Sequence, residues 1–524
     1  LWGGLFALIF GMELGVMRLS TVVMVALGSV ALYSLLRQLG VTRSRSTLGA
    51  AVYLFNPLTF VLAFTFMTDP HFTSVMLIAV ALSVRGLNPA DCRPRIIVLG
   101  SLFAGFAFLI RQQGALIPLA IVLSLLFARR LRPNLASLRL VLQVTALPAI
   151  MLVVYYAWLR WVNDVPEVQS GFLRAVIERH GWAGTWRQVR YLSYIALAYV
   201  GFAAIPLVLT LAPSPRRWRW PWRMRRADEG SPSPVSAPSG FFTSPVGWWC
   251  WLGWLGVAVT GLFFLTLRGR RMPYIPQFLG SSGFGPPDVR GSRHVLIESA
   301  GFYSALTIVS VVAAIALGAI ICRRLGVAAS PERAGAGVVA MVLLWQLVGV
   351  LPPSYQYINQ SGSLDRYLLP LIPLTIALAM WALRDVRLFQ PLGWVAVLLF
   401  GSVATAGTRD YLVFMDAVWG MAERANAAGI PNTKLDAGSG WDGYHLYTLM
   451  LDENITAARS PAGAPWWVYF YAKPTDSTYL VSTNPQSNPG YYVVAVEPYD
   501  QWLEDDPVAV YLMALNGAPR PVLD

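Results

Sequence analysis

Residues 96–128 read IIVLGSLFAGFAFLIRQQGALIPLAIVLSLLFA. Arg111 is the one charged residue of this stretch, and an apolar run lies on each side of it. A helix that crosses a bilayer needs about 20 mostly apolar residues, and short ones need about 17. The stretch therefore predicts two short transmembrane helices that form a tight hairpin, with Arg111 at the turn.

Similar apolar runs recur up to residue 407. The 524-residue chain is 56% hydrophobic and 13% charged, whereas a soluble protein carries about 25% charged residues. The length rule predicts about 12 spans, which lie approximately at residues 19–36, 46–66, 70–86, 96–110, 114–128, 141–161, 190–211, 246–267, 303–322, 336–352, 367–384 and 390–406. The predicted fold class is an α-helical polytopic membrane protein.

The composition becomes polar and rich in Asp after these spans. This predicts a transmembrane domain over residues 1–407 and a soluble domain over residues 408–524. In the tail, Asp410 is expected to cap a helix that ends near Gly429. Runs of β-branched and aromatic residues predict strands, at Trp466–Tyr471, Tyr479–Ser482 and Tyr491–Val496. We therefore predict that the tail is a small α/β domain.

The arginines lie mostly on one side of the predicted bundle. Six loops on that side hold 21 Arg and 5 acidic residues, whereas the tail holds 6 basic and 14 acidic residues. Loops rich in Arg stay in the cytoplasm. We therefore expect a bacterial inner-membrane protein whose tail and whose turns at Asp69, Arg111 and Arg366 lie outside.

The net charge of +13 is at first sight a signal for nucleic-acid binding. The basic residues, however, lie in short pieces between apolar runs, so nucleic acid is not expected as a partner. The Arg-rich and Trp-rich run at 216–226 leaves RNA or anionic lipid open as a ligand. We interpret it as a cytoplasmic anchor with interfacial tryptophans.

The predicted spans carry no Asp, Glu, Lys or Arg except at their ends. Transporters that couple to protons or ions usually bury such groups near the midplane of the membrane, so a transporter is disfavoured. The short external turns instead carry a few ionisable residues, namely Asp69, Arg111, Asp365 and Arg366. This arrangement predicts a site at the outer membrane surface.

Several short motifs occur in order along the spans. They are Met17-Arg18-Leu19-Ser20, Asn56-Pro57, Thr68-Asp69, Leu109-Ile110-Arg111-Gln112-Gln113-Gly114 and Arg366-Tyr367-Leu368-Leu369-Pro370. With these motifs the chain resembles the GT-C superfamily of integral membrane glycosyltransferases, in the branch of the protein O-mannosyltransferases and the lipid A aminoarabinose transferase. The resemblance covers residues 1 to about 406. It implies a sugar donor carried on a polyisoprenyl phosphate, an acceptor that is a lipid, a protein or a glycan, and contact with membrane lipids.

Asp69 is the candidate catalytic residue. The resemblance implies that the matching acid helps to organise the phosphate, a metal or the acceptor, whereas the alternative is a helix N-cap. His71 is a weaker candidate, because a single interfacial His more often packs or caps. No metal-ligand spacing supports it, so the sequence specifies no cofactor and leaves a divalent metal open.

Arg111, Arg366 and Tyr367 are the candidate residues for binding the donor phosphate or sugar. The resembling family places a basic residue, usually lysine, at the position of Arg111, where it meets the donor phosphate. Arginine can make two parallel hydrogen bonds to a phosphate. The alternatives are a snorkelling anchor for Arg111, an ion pair with Asp365 for Arg366 and the interfacial belt for Tyr367. Gln112 and Asp365 are weaker candidates.

The resemblance also leads us to expect a segment upstream of Leu1. Members of this branch have a first span followed by an outer loop with an acidic pair, which carries the leading candidate for the catalytic base, whereas the one acid before residue 69 here is Glu13. If no such segment precedes Leu1, Asp69 becomes the main candidate for the base. Extending the reading frame upstream should reveal an apolar stretch followed by paired acids. Two further functions stay open: a non-catalytic membrane scaffold that displays its tail outside, and a polysaccharide polymerase or ligase.

Overall fold

The computed structural model describes residues 2–163, 172–212, 256, 261, 271–286, 288–325, 331–351, 363–504 and 507–522. The Arg-rich and Trp-rich run at 216–226 lies outside the described residues. The predicted span at 246–267 also lies outside them, except for two isolated positions. The chain forms two compact units, the first from Leu1–Ile275 with Ala300–Ser402 and the second from Pro276–Ser299 with Val403–Asp524.

The first unit is built from helices in its described part. These are α1 (Trp2–Phe10), α2 (Leu14–Gln38), α3 (Arg43–Leu54), α4 (Pro57–Ala63), α5 (Thr68–Gly86), α6 (Pro94–Ile110), α7 (Leu116–Phe127), α8 (Leu135–Trp158), α9 (Phe172–Leu209), α10 (Ala300–Leu325), α11 (Pro331–Val350) and α12 (Leu371–Ala382). Helix α13 (Gln390–Ala427) begins in this unit and continues into the second. Helices are favoured because each one satisfies its own backbone hydrogen bonds, which lipid cannot do.

The helices agree with the predicted spans. Six described helices are long and apolar enough to cross a membrane, or seven if the bent pair α3 and α4 counts as one span. The other predicted spans fall on α5, on the shorter apolar helices α6 and α7, and on α12. Every predicted span within the described residues thus coincides with a helix. The prediction of a polytopic helical membrane protein is confirmed.

Several helices of the first unit pack so closely that a glycine is required at the crossing. Helix α5 packs against α2 and α6, and α9 packs against α10. A Cβ atom on Gly28 would lie 2.5 Å from Ser74 Oγ, and one on Gly201 would lie 1.9 Å from the backbone oxygen of Ser310. Small residues are common where membrane helices approach closely. These glycines therefore set the distance between neighbouring helices.

Replacing Gly201 by valine is expected to destabilise the first unit. The new side chain would meet backbone atoms of α10, which cannot rotate away, and overpacking typically costs about 1–3 kcal/mol. The matched control is Gly15→Val, because nothing lies within 4 Å of a Cβ at Gly15. Thermal unfolding in detergent should show a lower Tm for Gly201→Val alone. Equal Tm values for the two variants would contradict the tight crossing.

The second unit is a small mixed domain. Its helices are the C-terminal part of α13, α14 (Ser439–Asp452) and α15 (Trp466–Phe470). Its strands are β1 (Leu279–Gly280), β2 (Gly283–Phe284), β3 (Leu435–Asp436), β4 (Tyr479–Ser482), β5 (Tyr491–Tyr499) and β6 (Val508–Leu515). Strands β1 and β2 form a hairpin, and the other strands form one sheet in the order β3-β4-β6-β5. Strand β3 is parallel to β4, whereas β6 is antiparallel to both of its neighbours.

The core of the second unit lies between α13 and this sheet. The buried residues of α13 recur at helical spacing, at Phe414, Val418, Met421, Ala422 and Ala425. They share one cluster with side chains from the strands, among them Val481 and Leu512. The prediction of a small C-terminal α/β region is confirmed.

Two local predictions for the tail are wrong. Asp410 does not cap a helix, because α13 runs through it without a break. Its two carboxylate oxygens instead accept the backbone N–H groups of Trp502 and Leu503, at 2.8 and 2.9 Å. Residues 466–470 form a helix and no strand. Trp467 and Val468 both pack into a buried cluster with Leu446 and Ala472, and this packing outweighs the weak local preference of aromatic and β-branched residues for a strand.

Residues 276–299, a loop between spans by sequence, belong to the second unit. Arg290 Nε donates to the buried carboxylate of Asp436 at 2.5 Å. The backbone oxygen of Arg290 accepts the N–H of Thr483 at 2.9 Å. Because both contacts reach residues after 403, the segment completes the C-terminal unit. The predicted boundary at residue 408 rests on composition alone. Composition cannot show that a segment more than 100 residues upstream belongs to the same unit.

Candidate active site

Asp69 lies in the first turn of α5. The N-cap of this helix is Met67, so Asp69 lies inside the helix and the capping alternative does not describe its position. A negative charge in the first turn of a helix is favourable because the helix dipole is positive there. The Asp69 side chain is only 1% exposed. A carboxylate this deeply buried requires a charged partner.

Arg111 provides the first partner. Its Nη2 atom lies 2.9 Å from Asp69 Oδ1, and its Nε donates to Thr68 Oγ1 at 3.2 Å. Arg111 follows the last residue of α6, with extended backbone, and a short 3₁₀ turn begins at the next residue. The turn is tight because a Cβ on Gly114 would lie 2.1 Å from the backbone nitrogen of Phe108. Gly114 thus allows the chain to reverse and to place Arg111 against α5.

Arg366 provides the second partner. Its Nε atom lies 3.8 Å from Asp69 Oδ2, and its Nη1 donates to the sulfur of Met67 at 3.1 Å. Arg366 lies in a 3₁₀ turn over Asp365–Leu368. The buried Asp365 stabilises this turn, because its Oδ1 accepts the N–H of Arg366 at 2.7 Å and its own N–H donates to the backbone oxygen of Ile275 at 3.1 Å. Asp365 therefore supports the turn that carries Arg366.

Tyr367 lies against both arginines. The guanidinium carbon of Arg111 is 5.1 Å from the centre of the Tyr367 ring, and that of Arg366 is 5.4 Å away. A cation over an aromatic face is attracted by the ring quadrupole. The structure thus brings together Asp69, Arg111, Arg366 and Tyr367, which we call the Asp69 cluster. The cluster brings two guanidinium groups to one point, and guanidinium groups bind anionic ligands such as phosphate through charge-assisted hydrogen bonds.

The weaker candidates lie around this cluster. The Nδ1 atom of His71 is 2.8 Å from the backbone oxygen of Met67, and its ring packs edge-on against Phe66 with centroids 5.7 Å apart. His71 therefore has a packing and local hydrogen-bonding position. Gln112 follows Arg111 and is exposed. Among the described residues, no group of three or more His, Cys, Asp or Glu side chains is placed to hold a metal ion.

Sequence reasoning assigned no role to two residues that contact the arginines. Thr68 accepts a hydrogen bond from Arg111, and the sulfur of Met67 accepts one from Arg366. They are the two residues before Asp69, and this position next to a candidate residue was the one sequence feature that pointed to them. Because threonine is common at helix starts, Thr68 could be explained without a contact to Arg111.

Part of the chain matches a known protein family. Residues 3–161 match the family model described as dolichyl-phosphate-mannose-protein mannosyltransferase. No curated protein matches the chain. Two solved structures are similar. The first is ArnT from Cupriavidus metallidurans bound to undecaprenyl phosphate, with 16% identity, a TM-score of 0.38, and coverage of 100% of this chain and 88% of that chain. The second is the same protein in the apo state, with 15% identity, a TM-score of 0.32, and coverage of 97% of this chain and 86% of that chain. The family match includes Asp69 and Arg111, whereas Arg366 and Tyr367 lie outside it, and it agrees with the resemblance of the chain to the GT-C superfamily of membrane glycosyltransferases.

Proposed function

We propose that this chain transfers a sugar from a polyisoprenyl-phosphate donor to an acceptor at the outer face of a bacterial inner membrane. The observation that carries the proposal is the Asp69 cluster, a buried carboxylate held between two arginines that stack on one tyrosine. The family match supports the donor class, because dolichyl phosphate is itself a polyisoprenyl phosphate. The acceptor is a lipid, a protein or a glycan hydroxyl or amine.

The two arginines would bind the donor phosphate. In the reaction the acceptor oxygen or nitrogen forms a bond to the anomeric carbon, and the bond from that carbon to the phosphate oxygen breaks. The leaving polyisoprenyl phosphate gains negative charge, which Arg111 and Arg366 can neutralise through charge-assisted hydrogen bonds. Tyr367 would keep both guanidinium groups oriented before the donor arrives.

Asp69 would act as the general base. In the structure its carboxylate is buried and lies against two guanidinium groups. A donor phosphate competes for the same arginines, and the contacts it makes with them weaken their hold on Asp69. The released carboxylate can then take the proton of the acceptor hydroxyl or amine. Asp69 therefore occupies the position of the phosphate until the donor binds.

Transfer of a labelled sugar tests the proposal. Membranes that contain the chain are incubated with polyprenyl-phosphate sugars, each labelled in the sugar, and the label is then followed into lipid, protein and glycan fractions. We expect one donor to lose its label to one fraction, and the Asp69→Asn variant to stop this transfer. A ladder of products would favour a polysaccharide polymerase. If the label stays on every donor, the result contradicts the proposed sugar transfer and favours a non-catalytic scaffold.

Protease treatment tests the proposed orientation of the second unit. In sealed spheroplasts, protease reaches only the outer face of the membrane. We expect a protease in the medium to remove residues after 408 while the helices before them stay intact, because the tail is acidic and the Arg-rich loops are expected inside. A cytoplasmic marker protein must survive as the control. Digestion of the tail only after lysis would show the opposite orientation.

A further inference from the structure

A polar cavity of about 270 Å³ lies within the second unit. Three separate parts of the chain contribute to it: Ser282 with residues 292–296, the turn at 483–486, and described residues from the end of β5 to the start of β6. We call it the β5–β6 pocket. Its volume is just below the range of about 300–1,000 Å³ that is typical of small-molecule sites. It has room for one small ring.

Internal contacts hold the walls of the β5–β6 pocket in place. Arg293 donates from Nη1 to the backbone oxygen of Phe284 and from Nη2 to that of Gly285, at 2.9 and 2.8 Å. The side chain of Asn484 accepts the N–H of Gln486 at 3.0 Å. His294 Nδ1 lies 3.2 Å from Glu504 Oε2, and the Glu504 side chain is only 10% exposed. The pocket is therefore bounded by three fixed segments.

Several polar side chains that line the pocket make no hydrogen bond to another described residue. They are Ser282, Ser292, Gln486, Gln501 and Tyr511. Each serine or tyrosine hydroxyl can donate and accept, and each glutamine amide offers two donors and one acceptor. Such groups match a ligand that also carries both donors and acceptors at close spacing. Hydroxyl groups on a ring have that property.

The described ionisable residues of the pocket include Arg293 and Glu504, whose opposite charges cancel in the sum, and His294. Both Nη atoms of Arg293 are used by backbone oxygens, and His294 is paired with Glu504. Tyr499 stays uncharged at neutral pH, because burial raises its pKa to about 12 although Arg293 nearby acts in the opposite direction. These groups thus offer no excess charge to an anion. A neutral ligand fits better than a phosphate.

Two tyrosine rings complete the lining. Tyr499 ends β5 and packs against Phe414 with ring centroids 5.8 Å apart, and Tyr511 lies in β6. Aromatic rings bury the apolar side of an amphipathic ligand and carry a polar tip. A sugar ring has an apolar face of C–H groups and an edge of hydroxyls. Aromatic rings combined with uncommitted hydroxyl and amide groups are the partners that such a ring needs.

We propose that the β5–β6 pocket binds a neutral saccharide. The site belongs to the second unit and does not depend on the Asp69 cluster, so it would hold a glycan whether or not the chain transfers sugars. An acceptor glycan or a glycan of the cell surface would supply the same chemistry. The proposal assigns a carbohydrate-binding role to the C-terminal unit.

Saturation-transfer NMR on the full chain tests this proposal. The protein is placed in lipid nanodiscs without sugar-based detergent, with methyl α-mannopyranoside or methyl β-glucopyranoside as the probe. We expect saturation transfer to at least one glycoside and none to sorbitol, an acyclic polyol with similar hydroxyl density. The double variant Ser282→Ala with Gln501→Ala should bind about tenfold more weakly, because two hydrogen bonds are lost. Neither side chain is hydrogen-bonded to a described residue, so the fold should be unchanged.

Three further samples separate the possible outcomes. Tyr511→Ala should also lose the signal, whereas Tyr444→Ala, at a 65% exposed tyrosine outside the pocket, should keep it. Arg111→Ala should keep it too, even if sugar transfer is lost. The proposal is overturned if neither glycoside receives saturation, if the double variant binds as the wild type does, or if the signal disappears with Arg111→Ala. Displacement of the glycoside by a short Ser/Thr peptide at equal concentration would also overturn it, in favour of a peptide site.

Discussion

The Asp69→Asn variant is expected to lose about 10²- to 10⁴-fold in kcat, because general base catalysis typically contributes that much. Asparagine has nearly the same volume but cannot take a proton. It also leaves Arg111 and Arg366 without the carboxylate that now lies between them. Donor phosphate then has no competitor for these arginines. We therefore expect the KM for the donor to stay the same or to fall while kcat collapses.

This division between kcat and KM distinguishes catalysis from a structural role. Removing one partner of a buried ion pair is destabilising by about 3–5 kcal/mol, so Tm must be measured in the same samples. Asp69→Glu keeps the charge and should retain more activity than Asp69→Asn. A variant that loses donor binding and stability together would show that Asp69 only holds the two arginines. An active Asp69→Asn protein would remove Asp69 from the mechanism.

Arg111→Ala is expected to lower kcat/KM for the donor by about 10- to 150-fold. The loss of a hydrogen bond to a charged group costs about 1.5–3 kcal/mol, and each 1.36 kcal/mol corresponds to a factor of ten. The protein should still fold, because Arg366 remains as a partner of the buried Asp69, but its Tm should fall, since Arg111 is the nearer of the two partners. Kinetics with the donor varied at saturating acceptor would measure the change.

Two matched variants sharpen this test. Arg111→Lys keeps the charge but offers only a single point of contact, so we expect partial rescue. Arg95→Ala removes an exposed arginine from the other end of the same helix, α6, and should leave kcat/KM unchanged. If Arg111→Ala and Arg95→Ala behave alike, Arg111 is an anchor at the membrane boundary and does not bind phosphate.

The helical, membrane-spanning architecture could be predicted from the sequence because lipid leaves few alternatives. A long apolar run must satisfy its own backbone hydrogen bonds, so the apolar runs at 19–36 and 303–322 had to be helices. The tail was harder to predict. Residues 466–470 have the aromatic and β-branched composition of a strand and form a helix, because the packing of Trp467 and Val468 outweighs a weak local preference.

The candidate site was only partly readable from the sequence. Asp69 and Arg111 stood out because charges are rare between apolar runs, and Arg366 stood out for the same reason. Their distances from one another could not be derived, because they lie in separate turns of the chain. The β5–β6 pocket left no sequence signal at all. Serine, glutamine and tyrosine are ordinary surface residues, and only their convergence makes a site.

The sequence by itself determined that the chain enters a membrane, where its spans lie and which few charged residues stand at their ends. These properties follow from transfer free energies, which depend on local composition. Only the tertiary structure decided that two arginines share one buried carboxylate and that residues 276–299 complete the C-terminal unit. Such pairings join residues that are far apart in the chain. They are fixed by the close packing of helices and strands, in which a displacement of about 1 Å removes an ion pair or a hydrogen bond.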